Sequence, residues 1–597
     1  MEFTLKVAGA AGQGTAVVGR TMGKLFTRGG LHVVGYPEYP SLIRGGHNTY
    51  QVHTSDEKIW APTKTTDLVI ALNKHSVLFH KDKISKNGGL IYDSIIDISK
   101  YEIRKDIKLF PLPLRKIVEE TQADKRMANV IAMGATLALI NYPLDFLNGA
   151  ITDEFSRKGN EIINKNIEVA KRGFDYIHEN FKNQIIKEVK PVSDKRKMFV
   201  GGNEAACLGA IKAGLKFYSG YPMTPASSVL TYLMTNERKA NIVTKHTEDE
   251  ISAINYAVGA AYAGVRAMTG TSGGGFALMT ETVGLSAIAE TPLVIFLAQR
   301  VGPSTGMPTW TEQGDLRMVL HSSQGDFPRI ILAPGDVDES IELCAKALNL
   351  AEKYQLPVFF INDKFLAESQ FSSEFDFSKI KIERGKIARN LPELEKTQRY
   401  KRYLITEDGV SPRAFPGESN GQHVASSYTH DETGFTTEDF SKRVEEVEKR
   451  NRKVPHILKD MELPKFYGPE DAKVTLVTWG SQKMPCMDAI KKLKKVNILH
   501  FTHLYPLDEK EVYKILKSCK KTIMVENNSS AQFAGVLREF TGWQPDFYLL
   551  RFDGRPLFPE EIIEKTEKLV KSKFKGERKI AVTEQEYEYY NPDRYTA

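Results

Sequence analysis

Hydrophobic positions follow two spacings along most of this chain. Short apolar runs, such as residues 293–298, are typical of buried strands, whereas segments with apolar residues three and four positions apart, such as 337–354, are typical of helices. The two patterns alternate up to about residue 363 and again from 474 onward. This alternation predicts a multidomain α/β protein with doubly wound, mostly parallel sheets.

Breaks in the alternation divide the chain. Residues 1–186 form a first predicted α/β domain, and the charged segment 187–198 links it to a second domain over 199–370. A polar, irregular segment covers 371–470, and a last domain with a charged, tyrosine-rich tail covers 471–597.

Two local interpretations rest on charge and hydrophobicity alone. The helix predicted over 438–453 is dense in charged residues, and we interpret it as a solvated face. The apolar run at 547–552 is predicted to be the last strand of the chain.

Composition and charge argue against several classes of function. The chain has 597 residues, 41% of them hydrophobic and 26% charged, as is typical of soluble globular proteins. We find no run of about 18 apolar residues and expect no membrane span. The net charge of +7 is mild and is not concentrated in a basic patch, which argues against nucleic acid as a partner.

The four cysteines, Cys207, Cys344, Cys486 and Cys519, are far apart in the sequence. Zinc and iron–sulfur sites usually draw thiolates from closely spaced positions, so this pattern predicts no such site within one loop. Unpaired cysteines are usual in a reducing compartment, and we therefore expect a cytoplasmic location.

A glycine-rich turn, Gly-Ala-Ala-Gly-Gln-Gly at 9–14, follows the first predicted strand and precedes a helix at 15–28. It is similar to a dinucleotide-binding turn with Ala11 in place of the middle glycine. Because no acidic residue stands where a ribose would be held, NAD is only weakly indicated. Gly12 and Gly14 are candidate contacts to the phosphate of another ligand.

The stretch from 218 to 317 concentrates candidate chemistry at turns that follow predicted strands. Thr224 lies between Pro222 and Pro225, which favour an extended turn and place its hydroxyl at low entropic cost. Tyr221, in the same turn, is a second candidate contact to a substrate. The pattern also suits a turn that only caps the following helix.

The acidic residues Glu248, Asp249 and Glu250 open the next predicted helix. Carboxylates in a first helical turn usually complement the helix dipole, and this is our interpretation of the first two. Glu250 differs because its helix is rich in alanine and glycine, so another backbone or a planar ligand can approach it closely.

Two more candidates follow the next strands. Ser272 is predicted to cap a helix that begins near Phe276, so that Gly273 and Gly274 form a turn whose exposed backbone can hold a phosphate. Arg300 follows the strand at 293–298, and its forked, permanent charge suits a carboxylate. A salt bridge at a domain edge is the alternative role for this arginine.

Tyr-Pro-Met-Thr-Pro at 221–225 resembles the Tyr-Pro-Ile-Thr-Pro motif of the 2-oxoacid:ferredoxin oxidoreductases. The segments Thr-Glu-Asp-Glu-Ile-Ser-Ala-Ile-Asn, Thr-Ser-Gly-Gly-Gly-Phe and Ala-Gln-Arg-Val-Gly-Pro-Ser-Thr-Gly follow in the family's order. The chain is most similar to the alpha subunit in which the gamma domain is fused in front.

The resemblance implies a pyrimidine-type domain for thiamine diphosphate, preceded by a gamma-like domain and followed by one similar to the transketolase C-terminal domain. Glu250 aligns with the glutamate that shares a proton with the N1′ nitrogen of the cofactor, and Gly273 and Gly274 are assigned to the cofactor as well. Thr224 and Arg300 align with residues that hold the C1 carboxylate of a 2-oxoacid.

The segment Arg-Gly-Gly-His from Arg44 to His47 resembles part of the gamma domain around the coenzyme A entry. The resemblance implies coenzyme A as a co-substrate, and both residues are candidate contacts to it or to a polar substrate. They could instead hold the loop against the catalytic domain.

The chain contains no Gly-Asp-Gly, the segment with which thiamine enzymes hold Mg²⁺ and the diphosphate. The resemblance therefore implies that this chain carries half of the site and no metal ligands. We expect a beta subunit to contribute Mg²⁺ and a [4Fe–4S] cluster, in an αβ or (αβ)₂ assembly with ferredoxin as electron acceptor.

The implied reaction converts a 2-oxoacid and coenzyme A to acyl-CoA, CO₂ and reduced ferredoxin, or the reverse. 2-Oxoglutarate is the first choice because the fused gamma–alpha order and the loop after Arg300 resemble that branch; pyruvate and broad specificity stay open. Arg44, Arg413 or a beta-subunit residue could bind the distal carboxylate. The other open classes are a ferredoxin-independent thiamine enzyme, a non-catalytic assembly subunit and an NAD-dependent dehydrogenase.

Overall fold

The protein is represented by a computed structural model that describes residues 1–42, 46–182, 184–395, 398–571 and 579–582. The first part of the chain contains β1 (Glu2–Ala10), α1 (Thr15–Arg28), β2 (His32–Glu38), β3 (His47–Ser55), β4 (Thr66–Ala71), α2 (Lys74–His80), β5 (Ile84–Asp93), β6 (Lys108–Leu112), α3 (Leu114–Glu120), α4 (Ala128–Leu139), α5 (Leu144–Phe155) and α6 (Asn160–Asn180).

The middle part contains β7 (Met198–Gly201), α7 (Gly202–Lys212), β8 (Phe217–Gly220), α8 (Ser227–Ala240), β9 (Val243–His246), α9 (Glu250–Tyr262), β10 (Ala267–Thr271), α10 (Gly273–Ile288), β11 (Leu293–Gln299), α11 (Leu316–Leu320), β12 (Ile330–Leu332), α12 (Val337–Tyr354), β13 (Pro357–Asp363), α13 (Lys364–Glu368) and β14 (Gln370–Ser373). The last part contains α14 (Phe440–Asn451), α15 (Lys453–Asp460), β15 (Lys465–Tyr467), β16 (Val474–Trp479), α16 (Lys483–Ile490), β17 (Val496–Phe501), β18 (His503–Tyr505), α17 (Glu509–Ser518), β19 (Thr522–Glu526), α18 (Gln532–Thr541), β20 (Phe547–Arg551), α19 (Pro559–Lys571) and β21 (Lys579–Val582).

The first sheet has eight strands in the order β6-β5-β4-β1-β3-β2-β14-β7. β1, β4, β5 and β6 are parallel, whereas β3 runs antiparallel to both β1 and β2. Leu5 of β1, Phe26 of α1 and Ile131 of α4 are fully buried in its core. The helices pack on the sheet because their apolar residues recur at helical spacing on one side.

The second sheet has seven strands in the order β18-β12-β13-β11-β10-β8-β9, all parallel except β18. The third has six, in the order β15-β17-β16-β19-β20-β21, all parallel except β15. One apolar core, which includes Ile295, Phe359, Trp479 and Phe533, extends from the second sheet to the third. The predicted multidomain α/β class with mostly parallel sheets is confirmed.

Strands cross between the parts of the chain. β7 precedes and β14 follows the strands β8 to β13 of the second sheet in sequence, yet both join the first sheet. Gln370 of β14 pairs with Gly35 of β2 and with Gly201 of β7. β18 comes from the last part and extends the second sheet. Backbone hydrogen bonds therefore run across the predicted boundaries at 186, 199 and 471.

The interpretation of 438–453 as a solvated face holds for one side of the helix, where Phe440 and Val444 are 85% and 53% exposed, and is wrong for the other. Lys449 on α14 and Lys453 on α15 have side-chain exposures of only 0% and 2%. Both donate to the buried carboxylate of Glu290, with 2.7 Å between Nζ of Lys453 and Oε2. The two lysines can be buried because Glu290, just after α10, supplies their counter-charge. Glu290 is distant in sequence, so a local pattern could not indicate this pairing.

The expectation that 547–552 is the last strand is also wrong, because β21 follows it and pairs with β20 in parallel. The four residues of β21 stand between strongly charged segments, which hide their apolar pattern. Residues 583–597 of the tail lie outside the described part. Among the described residues, no helix combines the length and the apolar composition that crossing a bilayer requires.

Candidate active site

The candidate residues of the middle part meet at one edge of the second sheet. β10 lies between β8 and β11, and all three strands are parallel. Their carboxyl ends therefore bring together the turn at 221–225, the start of α10 and Arg300. α9, which follows the neighbouring strand β9, begins at the same edge with Glu250.

Arg300 reaches across this edge to the turn after β8. Its Nη1 donates a hydrogen bond to the carbonyl oxygen of Thr224 at 2.8 Å. Partial burial lowers the pKa of Arg300, and the negative charge of Asp315 opposes that shift. Tyr221 is 39% exposed at the rim, with its ring centroid 6.4 Å from that of His246. Thr224 and Arg300 are therefore in contact, whereas Tyr221 lies at the exposed rim of this edge.

Glu250 is the first residue of α9 and is 4% exposed. The helix start is capped by Asp249, whose carboxylate accepts from the N–H of Ser252 at 2.7 Å. Glu250 itself is not needed as a cap, and its Oε1 is buried with no hydrogen-bond partner in the described part of the chain. Burial without a partner is costly for a carboxyl, so this atom is suited to a ligand that supplies the missing hydrogen bond.

The expected helix start near Phe276 is wrong, because α10 begins at Gly273. Ser272 precedes it in an extended conformation, and no side-chain cap hydrogen bond forms there among the described residues. Close contacts explain why glycines are needed instead. A Cβ on Gly275 would lie 2.6 Å from Oε1 of Glu250, whereas one on Gly274 would have no described atom nearer than 3.9 Å. Gly274 therefore presents an open backbone beside the buried carboxyl.

Asp315 also lies at this edge of the second sheet, although no sequence motif indicates it. A Cβ on Gly273 would lie 2.5 Å from its Oδ1, so the carboxylate packs directly on the first residue of α10. Burial and the nearby charge of Glu312 raise the pKa of Asp315 to about 7, against the opposing charge of Arg300. Its place follows from strand order, and no local motif indicates it.

The two candidate glycines in the turn after β1, Gly12 and Gly14, have different surroundings. Gly14 has φ +78°, and a Cβ there would lie 2.2 Å from Nδ2 of Asn129, so its side is filled by protein. Gly12 has φ +88°, and a Cβ there would meet no described atom within 4 Å. The turn is closed by Gln13, whose Oε1 accepts from the N–H of Ala10 at 2.6 Å. Only Gly12 faces open space.

Three candidates for polar contacts remain. Arg44 lies outside the described residues. His47 is buried, with 2.8 Å between its Nε2 and that of His80, and burial lowers its pKa to about 4. Arg413 is also buried, and its Nη2 lies 3.1 Å from Oε1 of Glu352. The last two side chains are therefore taken up by the protein interior.

A buried carboxyl at a helix start, an open glycine backbone and an arginine at a strand end thus lie at one edge of the second sheet. Residues 208–449 match the family described as pyruvate flavodoxin/ferredoxin oxidoreductase, thiamine diphosphate-binding. Residues 4–176 match the family described as pyruvate ferredoxin/flavodoxin oxidoreductase. The class is therefore that of oxidoreductases with a thiamine-diphosphate-binding domain.

Relatives define the family within this class. The alpha subunit of 2-oxoacid:ferredoxin oxidoreductase 2 from Aeropyrum pernix is 31% identical over an alignment of 649 positions, gaps included, which covers 98% of this chain and 99% of that protein. The 2-oxoglutarate synthase subunit KorA of Methanothermobacter thermautotrophicus is 31% identical over 379 residues, 61% of this chain and 96% of that protein.

A solved structure agrees with these relatives. The 2-oxoglutarate:ferredoxin oxidoreductase from Magnetococcus marinus, with 2-oxoglutarate, coenzyme A and succinyl-CoA bound, has a TM-score of 0.87 and 32% identity to this chain. The match covers 96% of this chain and 100% of that one. The chain belongs to the 2-oxoacid:ferredoxin oxidoreductase family, and the predicted family and enzyme class are confirmed.

Proposed function

We propose that this chain is the alpha subunit of a thiamine-diphosphate-dependent enzyme that converts 2-oxoglutarate and coenzyme A to succinyl-CoA, CO₂ and reduced ferredoxin, or runs the reverse reaction. The observation that carries the proposal is the buried Oε1 of Glu250, without a partner in the described chain and beside the open backbone of Gly274. This pair fits one edge of a flat, hydrogen-bonding ring.

The residues fit the pyrimidine of thiamine diphosphate. When bound, this cofactor supplies an acidic carbon that adds to a 2-oxo group and takes up the electrons left behind by CO₂. Glu250 would hold a proton at Oε1 against the ring nitrogen, and its burial would exclude water from that proton. The first turn of α10, with Gly273 and Gly274, would offer backbone N–H groups that have no partner within the helix.

Arg300 and Thr224 would hold the C1 carboxylate of the substrate. The guanidinium is already aimed at the turn after β8, and its planar fork matches a carboxylate. A 2-oxoglutarate substrate is supported by the Magnetococcus protein, whose structure contains 2-oxoglutarate. Pyruvate and broad specificity remain alternatives, because the relative from Aeropyrum is named for 2-oxoacids in general. Arg44 or a beta-subunit residue would bind the distal carboxylate, since Arg413 is paired inside the protein.

We propose that coenzyme A binds at the N-terminal part of the chain. The Magnetococcus structure contains coenzyme A and succinyl-CoA. In this chain the turn after β1 is open at Gly12, where backbone N–H groups can approach a phosphate. Gly14 would keep that turn in shape through its contact with Asn129, and Arg44 stays a proposed contact.

A beta subunit would complete the site. The exposed residues Ile251 and Tyr256 on α9 and Leu278 on α10 form an apolar face next to Glu250, with exposures of 48%, 47% and 54%. A separate cavity of about 790 Å³, lined by both polar and apolar residues, lies between α9, α10 and α14. Apolar surface of this kind marks interaction sites.

The beta subunit would bring what this sequence lacks, namely a Gly-Asp-Gly segment for Mg²⁺ and the diphosphate, and closely spaced cysteines for a [4Fe–4S] cluster. Ferredoxin would accept the electrons from that cluster. The assembly would be αβ or (αβ)₂ and cytoplasmic, in keeping with four unpaired cysteines in this chain.

The test is CoA-dependent viologen reduction by the chain co-purified with its beta subunit, with 2-oxoglutarate and with pyruvate. Arg300→Lys should lower kcat/KM by about 100-fold, because a point charge cannot replace a forked pair of hydrogen bonds. Arg115→Lys, on the exposed side of α3, is the matched control.

No turnover with either 2-oxoacid, in an intact complex with thiamine diphosphate bound, would contradict the substrate class. Full activity of this chain alone would contradict the need for a beta subunit.

A further inference from the structure

Asp315 has no part in the function proposed above, yet it stands beside the substrate anchor. Its carboxylate packs on Gly273, and its backbone N–H donates to Oε1 of Gln299 at 3.0 Å. Its Oδ2 is buried and has no hydrogen-bond partner in the part of the chain that the structure describes. A buried carboxyl oxygen is usually hydrogen-bonded, so this one is available to a proton or a ligand.

The surroundings of Asp315 contain one positive and one negative group. Arg300, at the end of β11, attracts its negative charge, and Glu312, on the same loop, repels it. The third neighbouring element, the start of α10, contributes backbone only at Gly273. Within the described part of the chain, Arg300 and Asp315 form no direct ion pair, so in the free protein the negative charge of Asp315 balances the half-buried charge of Arg300 only over a longer distance.

A substrate carboxylate at Arg300 would take over this balancing role. Two negative charges would then share one guanidinium in a partly buried site, and the arrangement is relieved if one of them is protonated. The substrate's own carboxyl is a stronger acid than Asp315 in this setting, so the proton goes to Asp315. Burial raises the pKa of Asp315 to about 7 before any substrate arrives, so this proton uptake needs only a modest further change.

We infer that Asp315 is a positioning residue whose carboxylate takes up a proton from solvent when a 2-oxoacid binds Arg300, so that substrate affinity falls as the pH rises. The inference rests on the proposed function, in which Arg300 holds the C1 carboxylate. Because linkage is reciprocal, substrate that favours the protonated Asp315 must bind more weakly once that group ionises.

The test is the pH profile of KM for 2-oxoglutarate in the alpha–beta complex. KM should rise at least about 5-fold between roughly pH 6 and pH 8.5, the lower end of usual coupling between two sites. In Asp315→Asn, which keeps size and shape, KM should stay at its low-pH value throughout. Glu312→Gln should keep the rise but shift it to lower pH, since a charge that repels Asp315 is removed.

A second readout does not depend on turnover. Binding of N-oxalylglycine, the unreactive amide analogue of 2-oxoglutarate, is measured by calorimetry in buffers of different ionisation enthalpy. The wild-type complex should take up a fraction of a proton on binding near neutral pH, and Asp315→Asn should take up none.

The outcomes separate the two proposals. No turnover with any 2-oxoacid would contradict the proposed function. Turnover with a KM that does not change with pH would overturn the role of Asp315 alone, and so would a KM rise that persists in Asp315→Asn. If that variant does not fold, the wild-type and Glu312→Gln profiles decide.

Discussion

The consecutive glycines at the start of α10 allow a matched test of how the site is packed. A Cβ on Gly275 would lie 2.1 Å from Oγ1 of Thr271 and 2.6 Å from Oε1 of Glu250. A Cβ on Gly274 would approach no described atom more closely than 3.9 Å. The two positions are adjacent in one helix, so alanine has nearly the same effect on helix propensity and on the unfolded chain at both.

The difference in free energy of unfolding can be worked out from these contacts. Alanine stabilises a helix by about 1 kcal/mol relative to glycine, and this gain applies to both variants. In Gly275→Ala the new methyl group overlaps the hydroxyl of Thr271, which is fully buried on β10. Overpacking of this kind costs about 1–3 kcal/mol. We therefore expect Gly275→Ala to be about 1–3 kcal/mol less stable than Gly274→Ala.

Urea unfolding of the alpha–beta complex, followed by tryptophan fluorescence, measures this difference, and bound thiamine diphosphate is measured on the same samples. Gly275→Ala should lose cofactor because its methyl group displaces the carboxyl of Glu250. Gly274→Ala should keep its stability and lose affinity for the cofactor alone, since its methyl group would point into the open space beside Glu250. Equal stability of the two variants would refute the close packing of Glu250 on Gly275.

Two further predictions follow from buried carboxyls. Glu250→Ala should leave the alpha–beta complex assembled but lower kcat by at least about 100-fold, the usual loss for a positioned proton-transfer group; an unchanged kcat would favour a non-catalytic assembly role. Glu290→Gln should lower the free energy of unfolding by about 3–5 kcal/mol, because Lys449 and Lys453 would remain buried without their counter-charge. Glu281→Gln, at an exposed position of α10, the helix that precedes Glu290, should change stability by less than about 0.5 kcal/mol, and an equal loss in both variants would contradict this account.

Much of the fold could be predicted because local patterns were strong. The predicted helices at 15–28 and 337–354 match α1 and α12 to the residue, and the predicted strand at 293–298 is one residue shorter than β11. Each has a clear apolar period and turn-forming neighbours. The turns at 221–225 and after β10 were found for the same reason, since proline and glycine act on the backbone where they stand.

What the sequence could not indicate depends on contacts between distant segments. Lys449 was interpreted as solvated because nothing near it in sequence shows Glu290. β7 and β14 are short, and only their pairing in the first sheet defines them as strands there. The start of α10 was misplaced because glycine lowers helix propensity, whereas the close approach of Glu250 and Asp315 requires it.

The last domain bears on the site through the loop that follows Arg300. Gln313 ties this loop to the last domain. Nε2 of Gln313 donates to the carbonyl oxygen of Trp479 at 3.1 Å, and its backbone N–H donates to that of Asn527 at 2.7 Å. Asp315 stands two residues further along the same loop. Its carboxylate is therefore held near Arg300 by anchors outside the catalytic domain, which explains how Oδ2 can stay buried with no hydrogen bond of its own from the described chain. The last domain thus influences the substrate site by fixing the position of the Asp315 carboxylate.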